Sequence, residues 1–222
     1  MGQQINIPTT RTQCIGAYLA QPQGKPKGGI VVIQEIFGVT EHIRHVADRF
    51  AGYGYTAIAP AFFDHLETGV ELDYDEAGYA KGRELITELG LDRAVEDVAS
   101  AAESIASAGR IGTVGYCWGG TVALLSALRL GLPSVSYYGA RNVPFLHETP
   151  KAPVMFHFGE KDRGITPDMV AKHREAMPQM DLFTYPADHA FNRDGSAPYD
   201  EASARLALQR TLAFFDQHLA GA

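Results

Sequence analysis

The sequence predicts an α/β protein in which a mostly parallel sheet carries helices on both faces, a three-layer sandwich. Two observations lead there. Apolar runs and helical stretches alternate from one end of the chain to the other, and repeated strand–helix alternation builds a parallel sheet covered on both sides. Several of the runs are continuously apolar rather than alternating, the pattern of strands buried on both faces. At 222 residues with no repeat, linker or low-complexity segment, a single domain spanning 1–222 is expected.

The elements read in order as follows. Cys14–Ala20 and Gly29–Gln34 are early strands joined by the Pro- and Gly-containing turn 21–28. Further strands are expected at 55–59, 111–115, 134–138, 153–158 and 182–185. Helices are expected at 40–53, 79–89, 91–108, 121–130, 167–177 and 197–219. Thr40 reads as a cap before the apolar face of Ile43 and Val46, and Gly109 as a stop after the helix that starts at Leu91. Pro60–Asp75 has no periodicity, and its aromatics make it a candidate wall of a site; core packing of Phe62 and Phe63 serves equally well.

Composition removes several function classes. The formal net charge is −7 with no basic stripe, so nucleic acid is not an expected partner. No apolar run approaches the ~18–20 residues of a membrane span, and the amino terminus lacks a signal-peptide pattern; a soluble cytoplasmic protein, a monomer or weak dimer, is expected. Two cysteines, Cys14 and Cys117, cannot form a disulfide framework or a zinc site by spacing. Cys14 has no signature around it and reads as a buried small hydrophobe. His42 and His45 share a helix face but lack a third ligand, which reads as a solvated face, and His157 reads as a hydrogen-bonded core residue.

The sharpest motif is Gly115-Tyr116-Cys117-Trp118-Gly119-Gly120, placed after an apolar strand and before an apolar helix. That is the setting of a nucleophile elbow: small residues allow a tight turn that lifts the central side chain above the sheet, beside a helix N-terminus that favours an anion. Cys stands where Ser is usual. The bland alternative is a tight strand-to-helix turn around a structural cysteine. A nucleophile needs a base, and the base an orienting acid, in the chain order nucleophile, acid, histidine for the α/β-hydrolase fold. Asp162 follows the strand at 153–158 and His189 follows the last strand. Asp168 is the rival acid, but Thr166 as cap, Pro167 at the first helical position and Asp168 in the first turn make a sufficient structural account of it. Glu160 and Asp188 are weaker rivals. One oxyanion donor of this fold comes from the backbone after an early strand and the other from the residue after the nucleophile, which points to the amides of Ile36 and Trp118. Glu35 then lies beside the thiol as a carboxylate able to accept its proton, or else caps the next helix at the surface.

Taken together, these residues resemble the dienelactone hydrolase (carboxymethylenebutenolidase) family over nearly the whole chain. The strongest parts are Gln34-Glu35-Ile36-Phe37-Gly38-Val39, the elbow around Cys117, 159–167 and 189–193. The resemblance implies hydrolysis of dienelactone to maleylacetate in bacterial degradation of chlorinated aromatics. It also implies Cys117, His189 and Asp162 as the triad, Glu35 beside the thiol, and no metal or organic cofactor. It carries over Arg193 as partner of a substrate carboxylate and Phe37 as an apolar wall, so the expected partner is a small anionic lactone or ester. Two departures bear on the substrate: Tyr79, with Lys81 and Arg83 nearby, stands where some members use a second arginine, and Trp118 where a smaller aliphatic residue is usual. The runner-up within enzymes is a broader carboxylesterase or thioesterase, and outside them a non-catalytic binding member of the fold. A dinucleotide-binding oxidoreductase fails because no Gly-x-Gly-x-x-Gly follows the first strands.

Overall fold

The computed structural model describes residues 2–10 and 14–219, and the chain groups into two compact units, Met1–Thr113 with Leu219–Ala222 and Val114–His218. The first unit holds β1 (Gln3–Pro8), β2 (Cys14–Ala20), β3 (Gly29–Ile33) and β4 (Thr56–Pro60), in spatial order β1-β2-β4-β3. β1 pairs antiparallel with β2 and β2 antiparallel with β4, whereas β3 and β4 run parallel. Every residue of β3 and β4 is buried, as continuous apolar runs require. β1 escaped the sequence reading because only Ile7 of its six residues is buried. Such an edge strand is held by main-chain pairing, which leaves no hydrophobic pattern to read.

Helices α1 (Glu41–Gly52), α2 (Glu76–Leu89) and α3 (Leu91–Ser104) complete this unit. Ile43 and Val46 of α1 are buried as expected. Thr40 does occupy the N-cap position, but its side chain makes no cap bond; the hydroxyl lies 3.2 Å from the Tyr74 hydroxyl instead. The solvated face expected for His42 and His45 holds only for His45, since His42 is 5% exposed. Cys14 is exposed rather than buried: it sits at the first position of β2, where alternation points it outward. α3 stops at Ser104, and a separate 3₁₀ turn, Ala106–Ala108, precedes Gly109. Phe62 and Phe63 lie in a short 3₁₀ turn and are core residues.

β5 (Ile111–Tyr116) begins in the first unit and ends in the second. The second unit continues with β6 (Ser134–Tyr137), β7 (Val154–Gly159) and β8 (Asp181–Tyr185), in spatial order β5-β6-β7-β8, with β6–β7 and β7–β8 parallel. Its helices are α4 (Trp118–Leu125), α5 (Pro167–Ala176) and α6 (Glu201–Leu219). α4 runs into one π-helical turn, Ser126–Leu130, closed by Gly131 in the left-handed region. β6, β7 and β8 point their carboxyl ends the same way, so the segments after them emerge at one edge.

His157, in the middle of β7, is fully buried between two hydrogen bonds, Nδ1 to the Tyr185 hydroxyl at 2.8 Å and Nε2 to the Thr211 hydroxyl at 3.1 Å. Burial, helped by the positive charge of Arg210, lowers its pKa from 6.5 to about 3. A folded-state value below the unfolded one means that the unfolded chain binds the proton more readily. The stabilisation is therefore complete above about pH 6.5 and is lost as pH falls toward 3. We predict that denaturant unfolding at pH 4 and pH 7 shows a larger acid loss for the wild type than for His157→Gln, by a few kcal/mol. Equal acid losses in the two proteins would remove His157 from the account.

Candidate active site

β5 delivers Cys117 through an elbow of the expected kind. A Cβ on Gly115 would lie 1.8 Å from the Gly119 carbonyl oxygen, so the strand and the helix after the turn approach too closely for any side chain there. Cys117 itself is forced to φ 56°, ψ −117°, a conformation that costs on the order of 1–3 kcal/mol in a non-glycine residue. Among the described residues, the non-glycine positions with positive φ are Cys117, Tyr138 and Ala190. The first is the proposed nucleophile, the second follows β6, and the third follows His189; backbone strain of this kind gathers at functional sites. Trp118 is the first residue of α4, a position whose amide points off the N-terminal end of the helix.

Asp162 follows β7 and His189 follows β8, in the chain order expected. His189 Nδ1 lies 2.6 Å from Asp162 Oδ2, and Asp162 Oδ1 accepts the Gly164 amide at 2.8 Å. The Asp162 side chain is 2% exposed and that of His189 30%. The Cys117 side chain hydrogen-bonds the same imidazole. Burial disfavours the charged ring, but the hydrogen bonds to Asp162 and Cys117, with the attraction of both groups, outweigh it and raise the His189 pKa from 6.5 to about 11. An imidazole poised this way carries its proton at neutral pH.

The rival acids are otherwise engaged. Asp168 lies in the first turn of α5, behind the Thr166 cap that accepts the Met169 amide at 3.4 Å. Glu160 accepts the Thr184 hydroxyl, and Asp188 accepts the His189 amide. Arg193 follows His189 by four residues and is 3% exposed, with its amide donating to the Ala190 carbonyl.

Glu35, Ile36 and Phe37 lie in the first unit, just past the end of β3. Glu35 is 2% exposed, which removes surface capping as its role; Ile36 and Phe37 are buried as well. The Phe37 ring is met edge-on by Tyr74 at 4.8 Å and Tyr79 at 4.9 Å. Both tyrosines are about 40% exposed, so Phe37 carries an aromatic rim. Sequence reasoning missed Tyr138, whose ring lies 4.9 Å from that of His189. The signal was present in the paired aromatics Tyr137-Tyr138 at the carboxyl end of a strand. Among the described residues, no group of three or more His, Cys, Asp or Glu side chains is arranged to hold a metal ion, and no helix is long and apolar enough to cross a membrane.

The family model for the dienelactone hydrolase family matches residues 15–219. Carboxymethylenebutenolidase 1 of Cupriavidus pinatubonensis is 32% identical over 89% of this chain and 89% of its own. A carboxymethylenebutenolidase of Pseudomonas putida is 30% identical over 95% and 94%. A crystal structure from Klebsiella pneumoniae subsp. pneumoniae superposes with a TM-score of 0.87 at 32% identity, covering 98% of this chain and 99% of that one.

Proposed function

The chain belongs to the dienelactone hydrolase family, and from that premise we propose that it opens an activated ester or enol-lactone with Cys117 as nucleophile, His189 as base and Asp162 as orienting acid. It has the α/β-hydrolase fold and is a hydrolase of ester or lactone bonds. The observation that carries the triad is the continuous hydrogen-bonded series from Asp162 through His189 to Cys117, with the imidazole held in its charged form.

The chemistry follows from that charge state. The Cys117 thiolate adds to the carbonyl carbon, and the Trp118 amide stabilises the oxyanion, a donor of this kind contributing about 3 kcal/mol. Collapse breaks the carbon–oxygen bond and releases an enolate, which needs little protonation; an alkoxide would need much more, so unactivated alkyl esters react slowly. In the thioester the sulfur has lost its negative charge. The attraction that held the proton on His189 weakens, and once the leaving group has taken that proton the neutral ring accepts one from water. Hydroxide addition and collapse then release the acid and return the thiolate.

Arg193 pairs with a carboxylate on the substrate. The two relatives described above are carboxymethylenebutenolidases, which supports an anionic enol-lactone as the substrate class. The test is ultraviolet-monitored hydrolysis of cis- and trans-dienelactone with p-nitrophenyl acetate alongside. We expect fast lactone loss and weak ester cleavage. Arg193→Ala should raise KM for the lactone about 10- to 100-fold, the worth of one charge-assisted hydrogen bond or two, and leave the neutral ester within about twofold. Equal effects on both substrates would end the role given to Arg193. Ester cleavage without lactone turnover moves the substrate class to broader carboxylesters or thioesters.

A further inference from the structure

Behind the candidate triad, the second unit holds a buried polar chain that the mechanism above does not use. Arg210 on α6 donates to the Tyr185 hydroxyl at 3.0 Å, and that hydroxyl meets His157 Nδ1 at 2.8 Å. His157 Nε2 meets the Thr211 hydroxyl at 3.1 Å, which in turn meets the Tyr137 hydroxyl at 2.7 Å. Since a guanidinium can only donate, Tyr185 can pass its own proton to Nδ1, and Nε2–H then donates to Thr211. In this arrangement both ring nitrogens of a neutral histidine are satisfied. A buried network with every member partnered is stiff, because each group that moves leaves another unpaired in a low dielectric.

What makes this chain more than core filling is where its members sit. Tyr137 ends β6, and its carbonyl accepts the Cys117 amide at 3.0 Å. Tyr185 ends β8, and its carbonyl accepts two amides, Glu160 at 2.8 Å and Ala187 at 2.7 Å. The first of these belongs to the loop that carries Asp162 and the second to the loop that carries His189. The two loops also meet directly, Lys161 N donating to Ala187 O at 2.9 Å. A Cβ on Gly159 would lie 2.5 Å from the Ala187 carbonyl oxygen, so glycine is required for the loops to come this close. After His189 the chain turns at Ala190, φ 61°, and sets Phe191 against the Tyr185 ring at 5.0 Å and the Tyr138 ring at 5.5 Å. The segment bearing His189 therefore starts at the Tyr185 backbone and ends on the Tyr185 ring.

We propose that His157 is a positioning residue for the triad: by clamping the Tyr185 and Tyr137 hydroxyls, directly and through Thr211, it fixes the two strand ends that seat His189, Asp162 and Cys117. The inference rests on the triad reading, since it needs those three groups to be the reacting ones. Misplacement of a catalytic group by about 1 Å costs on the order of 100-fold in rate, and His157, being fully buried, makes no substrate contact of its own.

Three variants test it: Tyr185→Phe removes only the hydroxyl, His157→Phe removes both ring hydrogen bonds, and His157→Gln keeps a donor and an acceptor. With p-nitrophenyl acetate, we expect kcat to fall about 10- to 100-fold in Tyr185→Phe and His157→Phe with KM within about twofold. Alkylation of Cys117 by iodoacetamide at pH 6 should slow in parallel, and His157→Gln should recover part of both. If His157→Phe does not fold, Tyr185→Phe decides alone. Folded variants that melt lower yet keep wild-type kcat and alkylation rates would reduce the chain to a structural role and overturn the proposal. Turnover that survives in Cys117→Ala is a different failure, since it removes the triad itself and leaves no groups for His157 to position.

Discussion

Cys117→Ala should lower kcat for dienelactone and for p-nitrophenyl acetate by about five to six orders of magnitude, the scale seen when a nucleophile is deleted from a triad that acts as a unit. The reason is that Cys117 is the proposed nucleophile, and without its sulfur the thioester does not form. Asp162 and His189 position and move a proton, and the remaining donors only polarise the carbonyl. The variant should fold normally, because it removes one sulfur from a half-exposed position and alanine leaves the turn intact. Alanine still has to adopt φ 56°, so the backbone strain is the same in both proteins. Thermal melting and binding of a product acid check that the site survives. Activity within tenfold of wild type would sink Cys117 as nucleophile and return the elbow to a structural turn.

Asp162→Asn should lower kcat by about three to four orders of magnitude while KM changes little, as loss of the orienting acid does in triads generally. Two effects combine. With the amide oxygen kept on the Gly164 amide, the amide nitrogen faces Nδ1 and donates to it, which holds the imidazole in the wrong tautomer. The amide also lacks the charge that, with Cys117, holds the His189 pKa near 11. A ring that loses its proton no longer stabilises the thiolate, so Cys117 alkylation at pH 6 should slow together with turnover. The side chain of Asp162 is 2% exposed and its other oxygen accepts the Gly164 amide; Asn keeps that second bond through its carbonyl, which confines the damage to the histidine. If turnover survives with the alkylation rate unchanged, another acid serves His189. Asp168 is then the first to try, although its place in the first turn of α5 already accounts for it.

Much of this arrangement was legible in the linear sequence, and for a physical reason: each signal was local. A strand buried on both faces must be continuously apolar, so β3, β4 and β7 announced themselves. A nucleophile elbow needs small residues within two or three positions of the nucleophile, so Gly115 and Gly119 flank Cys117. An acid and a base delivered by successive strand ends must follow those strands in order, which singled out Asp162 and His189. The outliers were local too, in the opposite sense. β1 has no pattern because its pairing is all backbone, and Cys14 looked buried only because cysteines usually are.

Tertiary structure alone decided whatever depended on distance across the chain. That Asp162 rather than Asp168, Glu160 or Asp188 meets the histidine is settled by 2.6 Å between side chains 27 positions apart. The burial of Glu35, the ring of Tyr138 beside His189, and the route from His157 to the loops through Tyr185 left no mark on periodicity or spacing. Sequence patterns record what each residue needs from its neighbours along the chain, chiefly burial and backbone conformation. Orientation of one side chain by another, and the pKa that follows from it, belongs to contacts that exist only after the strands have been laid side by side.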